Sequence, residues 1–201
     1  DRGIRIKSRR GRGGVVEDIR FNNIVMQEVG CPLVINLFYT CGTTDRIRDM
    51  VSDPAPREVD DGTPVVRNIH LSQVTARGVT SAAAVLIGLP EMPVSGVSLR
   101  DVRLETVASG PTSQPAMSFL TEPCAGKGIR GEHVTELRVF DVAVYAHEGA
   151  AIQMAHGRDI EMAACTFVTR DSVPCVDLTD VRDAVLRNCR LSGEGDRRLA
   201  V

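Results

Sequence analysis

The 201-residue sequence predicts an all-β chain wound as a parallel β-helix, and three observations carry that expectation. One pattern recurs six times: apolar, any residue, apolar, any residue, small or polar, apolar. A second short apolar segment follows most copies. No 3.6-residue apolar stripe is sustained, and Gly and Pro interrupt the chain often, so helices fit poorly.

The copies are Ile19-x-Phe21-x-Asn23-Ile24, Ile69-x-Leu71-x-Gln73-Val74, Val97-x-Leu99-x-Asp101-Val102, Leu137-x-Val139-x-Asp141-Val142, Ile160-x-Met162-x-Ala164-Cys165 and Ala184-x-Leu186-x-Asn188-Cys189. The last three begin 23 and 24 residues apart, and the earlier, longer intervals read as loops inserted into that unit. Strands this short cannot bury a face alone, but successive units can if they stack as a solenoid. Like residues then form ladders. Ile24, Val74, Val102, Val142, Cys165 and Cys189 make one inner ladder, while Asn23, Asp101, Asp141 and Asn188 line a turn where their side chains can bond nearby backbone. The second strand of each unit is expected at Leu33-Val34-Ile35, Val85-Leu86-Ile87, Ala116-Met117, Ala151-Ile152 and Cys175-Val176.

Composition agrees with thin stacked layers. Hydrophobic residues make up 43% of the chain, enough for a core, but aromatics are only 3% with no Trp, so the core must be aliphatic. The longest apolar run, Ala82 to Ile87, is far too short to span a bilayer. The six cysteines show no C-x-x-C and no zinc spacing and do not settle the compartment; Cys165 and Cys189, on the inner ladder, read as buried thiols rather than a disulfide. His70, His133, His147 and His156 read as surface or packing residues with no partner at ligand spacing. No metal or cofactor is expected.

Charge is uneven. Residues 1–14 hold six of the 24 basic side chains and one of the 26 acids. A basic head on an acidic body suits a local anionic ligand better than nucleic acid, which calls for basic residues spread over a face with aromatics among them. Within the head, Gly3-Ile4-Arg5-Ile6-Lys7 reads as a strand. Ile4 and Ile6 face the core, and Arg5 and Lys7 stand side by side on the other face. A guanidinium fork beside an ammonium makes a cradle for a carboxylate. An edge strand with an ordinary basic outer face is the plainer alternative. Arg9-Arg10-Gly11-Arg12-Gly13-Gly14 reads as a loop.

Two interruptions stand out. Residues from Tyr39 to Thr63 form a long insertion of the kind that lines a binding groove, and Ser109 to Glu132 form a milder one. Asp60-Asp61, in the first, reads as a solvated turn. The polar Gly193–Arg198 end is expected to cap the stack. The first strand leaves its coil uncapped, so further coils are expected upstream.

Gly3-Ile4-Arg5-Ile6-Lys7, Arg9-Arg10-Gly11-Arg12-Gly13-Gly14 and Val16-Glu17-Asp18-Ile19 resemble glycoside hydrolase family 28, the polygalacturonases and their bacterial relatives. The resemblance runs on through Val34-Ile35-Asn36-Leu37-Phe38-Tyr39, Thr63-Pro64-Val65-Val66-Arg67-Asn68-Ile69 and Gly88-Leu89-Pro90-Glu91-Met92-Pro93, and thins beyond Glu105. It implies a right-handed parallel β-helix that hydrolyses α-1,4 galacturonan in pectin with inversion. It implies that Arg5 and Lys7 bind a galacturonate carboxylate and that Tyr39 lines the subsites. The family's Asn-Thr-Asp, Asp-Asp and Gly-His-Gly motifs lie N-terminal to Arg-Ile-Lys and are not found here, so no catalytic residue is assigned. Residues 1–201 are then the C-terminal coils of one β-helix domain, truncated at its N-terminal end, with a loop insertion at about 40–63. The expected partners are acidic polysaccharide and the missing coils, with neither nucleic acid nor membrane. The alternatives are a non-catalytic β-helix that binds acidic polysaccharide and a calcium-dependent lyase, although no Asp/Glu cluster accompanies Arg5.

Overall fold

The computed structural model describes residues 1–193 and the backbone of 199–200. In chain order the elements are β1 (Arg2–Lys7), β2 (Val15–Gln27), β3 (Cys31–Asn36), α1 (Asp45–Ser52), β4 (Val65–Val79) and β5 (Ala82–Ile87). Next come β6 (Val94–Thr106), β7 (Lys127–Glu132), β8 (Val134–Ala146), β9 (Glu148–Ala155) and β10 (Arg158–Ala163). The last are β11 (Thr166–Thr169), β12 (Val176–Thr179), β13 (Arg182–Arg187), β14 (Arg190–Ser192) and β15 (Leu199–Ala200).

The strands alternate between two sheets of parallel neighbours, which makes the chain a parallel β-helix. One is a seven-stranded sheet in the order β1-β3-β5-β7-β9-β12-β15. The other, in the order β13-β10-β8-β6-β4-β2, carries β11 and β14 beside it. Its long strands are bent, and the bend falls on the fifth position of the repeat. Asn23, Gln73, Asp101, Asp141, Ala164 and Asn188 all have φ between +52° and +57°. Asn and Asp tolerate this left-handed conformation best, which is why the position is so often small and polar. The expected bonds from these side chains to nearby backbone do not form. Asn23 instead donates to the Asn22 side chain at 3.2 Å, and the residues serve through their backbone conformation.

The inner ladders follow the repeat. Ile19, Ile69, Val97, Leu137, Ile160 and Ala184 stand in register, as do Phe21, Leu71, Leu99, Val139, Met162 and Leu186. Ile24 pairs with Val74, Val74 with Val102, and Val102 with Val142. Burying aliphatic faces coil upon coil is the main source of stability. Cys165 continues the ladder as a buried thiol, pushed up to about 11 chiefly by burial. Cys189 is only half-buried, and all six cysteines are free.

Three expectations change. Ala116-Met117 is no strand of the sheet. That place belongs to β7, Lys127-Gly128-Ile129-Arg130-Gly131-Glu132, whose only apolar side chain is Ile129. Gly131 sits so close to Met154 that a methyl group would overlap its thioether. The long insertion is not wholly loop, because it contains α1, which buries Val51. His133 and His156 do meet: in-register coils stack their rings at 5.0 Å, and His156 pairs with Asp180 at 2.9 Å. Among the described residues, no three His, Cys, Asp or Glu side chains group to hold a metal, and no helix is long and apolar enough to cross a membrane. The expected C-terminal cap, 193–198, lies outside the described residues beyond Gly193.

Candidate functional site

β1 forms one edge of the seven-stranded sheet and pairs with β3, Arg5 opposite Val34 and Lys7 opposite Asn36. Its alternation is clean. Ile4 and Ile6 are buried, and Arg5 and Lys7 are exposed on the outer face. Arg5 has no ion-pair or hydrogen-bond partner among the described residues. Lys7 is oriented from one side: its Nζ donates to Tyr39 Oη at 2.9 Å and lies 4.5 Å from the centre of that ring.

Tyr39 reaches Lys7 because the chain folds back after β3. Tyr39 N donates to Ser8 O at 3.3 Å, and Phe38 forms an antiparallel bridge with Arg9. The phenol also points at Met117 Sδ, 3.9 Å away, and the Arg12 guanidinium lies 5.5 Å from the ring centre. Tyr39 itself is buried. Backbone pairing and packing therefore fix one ammonium in place, and a guanidinium two residues earlier on the same strand face remains free to bind an anion.

The rest of the basic run behaves differently. Arg9 and Arg10 are buried. Arg10 forms a bidentate pair with Glu91 at 2.7 and 2.8 Å, with both side chains only 4% exposed. It also donates to the carbonyls of Met50, Asp53 and Ala55 at 3.1, 2.5 and 2.9 Å. One guanidinium thus clamps the end of α1 and the following turn to the Gly88–Pro93 loop. Burial, the largest single influence, pushes the Glu91 carboxyl up, but the hydrogen bond and charge of Arg10 together with backbone N–H groups outweigh it and hold the group below its ordinary value. Arg9 donates to Gly42 O at 3.0 Å. Its Nε is a buried side-chain polar atom without a partner among the described residues. The expected Gly/Arg loop is therefore a buried joint at Arg9 and Arg10 and exposed at Gly11, Arg12 and Gly14. Gly13, with φ +58°, lies against the Asp61 carbonyl where any side chain would collide, and Gly11 and Gly13 both donate to Gly62 O.

Asp60 builds the turn at the end of this insertion. Its Oδ1 accepts from Gly62 N at 2.8 Å and from Thr63 Oγ1 at 3.1 Å. Asp60 and Asp61 are exposed.

The milder interruption has a role the sequence did not announce. The outward row on the seven-stranded sheet runs Arg5, Val34, Val85, Arg130, Gln153, Asp177. Val34 and Val85 face outward yet are each only 1% exposed, because residues 112–124 cross the sheet as a strap. Pro115 and Ala116 are buried. The strap is held by Asn36 Nδ2 to Met117 O at 3.1 Å, Ser81 Oγ to Ser113 O at 2.8 Å and Arg130 Nη1 to Leu120 O at 2.9 Å. Two outward valines in the row between Arg5 and Arg130 were the available signal, since apolar side chains on an outer face call for a cover. The strap walls the Arg5–Lys7 site on the side of the later coils.

The chain is thus a parallel solenoid with two cations, Arg5 and Lys7, on the outer face of one sheet. The chain belongs to glycosyl hydrolases family 28, whose match covers residues 1–114. It is 30% identical over 108 residues to a probable polygalacturonase of Arabidopsis thaliana, a stretch that covers 54% of this chain and 22% of that protein. The chain therefore spans less than a quarter of the length of that curated relative. No solved structure matches it.

Proposed function

We propose that this chain is the substrate-holding C-terminal part of a polygalacturonase-like hydrolase that cleaves α-1,4 galacturonosyl linkages in pectin with inversion. The observation that carries it is the pair of outward cations on β1, with Lys7 fixed by the Tyr39 hydroxyl at 2.9 Å. Arg5 supplies a planar fork and Lys7 a compact charge, so a uronate carboxylate is both attracted and oriented. Tyr39 Oη holds the ammonium and, at the edge of the site, offers an acceptor to a sugar hydroxyl.

Inversion needs one carboxyl group as acid and a second as base, separated by roughly 6.5–9.5 Å to admit a water. In this function those groups come from coils upstream of β1, and Arg5 and Lys7 contribute by positioning. The unpaired edges of β1 and β2 suit continued stacking, as does the small share of the Arabidopsis protein that the chain covers. Asp60 and Asp61 are not candidates for the missing pair, since Asp60 is engaged in its own turn.

Reading the coding sequence upstream tests the assignment. In-frame Asn-Thr-Asp, Asp-Asp and Gly-His-Gly motifs are expected, and a start codon or unrelated sequence would leave a non-catalytic polysaccharide-binding solenoid as the better function. In the parent polypeptide, Arg5→Ala and Lys7→Ala should each weaken galacturonan binding on the order of 10- to 100-fold, the range for losing a hydrogen bond to a charged group. Unchanged binding in both would end the proposal.

A further inference from the structure

Beyond the strap, on the same face of the same sheet, lies a cavity of about 600 Å³, within the usual range for small-ligand sites. Its floor is the outer face of β5, β7 and β9, including Val85, Arg130 and Gln153, and Asp177 of β12 lies at its edge. Pro115 and Pro123 of the strap wall one side, and Val173 and Pro174 belong to the other loop that lines it. The strap separates it from Arg5 and Lys7, and the charge differs. Lys127 is already paired with Glu148 at 2.7 Å, and Arg130 with Glu132 at 2.8 Å. Those pairings leave the Glu122 and Asp177 carboxylates as a negative surplus at the lining.

We propose that this cavity is a second saccharide site, selective for neutral pyranose rings. The inference rests on the chain being part of a polysaccharide-acting protein. Arg130, Gln153 and Asp177 are in register on neighbouring strands, so their polar groups recur about every 4.8 Å. Gln153 Nε2 donates to Asp177 Oδ2 at 2.9 Å, which orients the amide and leaves its carbonyl, with the carboxylate, to accept from sugar hydroxyls. The guanidinium of Arg130 is held by Glu132 and Leu120 O and presents its remaining N–H groups to hydroxyl oxygens. The proline and valine walls offer apolar surface to the C–H face of a ring, a role that needs no aromatic in a chain without Trp. A uronate carboxylate meets the negative surplus and is disfavoured. One sheet face thus carries an anion-selective end and a neutral-selective end, and a polymer mixing charged and uncharged sugars could engage both.

The test is calorimetric titration of the parent polypeptide with lactose, cellobiose, maltose and trigalacturonate. Saturable binding of at least one neutral disaccharide is expected, weakened tenfold or more by Gln153→Ala and by Asp177→Ala. It should be unchanged in the Arg5→Ala/Lys7→Ala double variant and not competed by trigalacturonate. The inference is overturned if no neutral disaccharide binds saturably, or if binding ignores Gln153 and Asp177 or is competed by trigalacturonate. Loss of trigalacturonate binding alone would strike the Arg5–Lys7 assignment and leave this one standing.

Discussion

Residues 4–7 and residues 9–10 belong to one basic run, yet they do opposite things. On β1, strand alternation sends Arg5 and Lys7 to the outer face, where only Tyr39 engages Lys7. Two residues later the chain leaves the sheet, and Arg10 plunges into a buried pair with Glu91 plus three carbonyls of the long insertion. Similar side-chain chemistry is therefore a structural rivet in one place and, in the proposed function, a ligand cradle in the other. What decides is whether the chain supplies internal acceptors. A buried cation must have them, and an exposed one on a rigid strand is left to take them from a ligand.

The sharpest way to break this contrast is Arg10→Ala. Removing one member of a buried pair leaves Glu91 uncompensated and frees the insertion, a loss on the order of 3–5 kcal/mol. Denaturant melts of the parent polypeptide should show it, together with new proteolytic cuts between residues 40 and 63. Gly13→Ala comes next, since a methyl group at φ +58° would also meet the Asp61 carbonyl; about 2 kcal/mol is expected from left-handed strain with the overlap, again seen in melts.

Acid titration sharpens the role of Glu91. Its folded value lies below its ordinary 4.5, so its stabilisation is fully present above that range and is lost as pH falls through the depressed folded value. Glu91→Gln should therefore be less stable than the wild type at neutral pH, and the gap should close as the medium is acidified. A gap that stays constant with pH would mean that the charge contributes nothing. The smallest effect is expected from Tyr39→Phe, which removes the bond to Lys7. Its cost is about 1 kcal/mol or a little less in galacturonate affinity, measured by titration, with the melting temperature nearly unmoved.

The legible and illegible parts of the molecule separate along similar lines. The repeat was readable because an alternating pattern and left-handed Asn and Asp corners are properties of single coils. The outward phase of Arg5 and Lys7 was readable for the same reason. β7 was not, because Gly128 and Gly131 replace side chains where coils approach closely, so its strand carries one apolar residue. Ala116-Met117 looked more strand-like than β7 yet became part of the strap, since a short apolar pair reads alike in a buried strand and in a cover over Val34 and Val85. The burial of Arg10 depends on Glu91 and on carbonyls some 40 residues downstream, and that of Arg9 on the Gly42 carbonyl; local sequence carries no trace of such partners.

The most direct test of the central contrast is calorimetric titration of trigalacturonate into the parent polypeptide and its Arg5→Ala/Lys7→Ala double variant, with a thermal melt of each. The account predicts at least a 100-fold loss of affinity with an unchanged melting temperature. Retained affinity, or a variant that loses its fold instead, would contradict it.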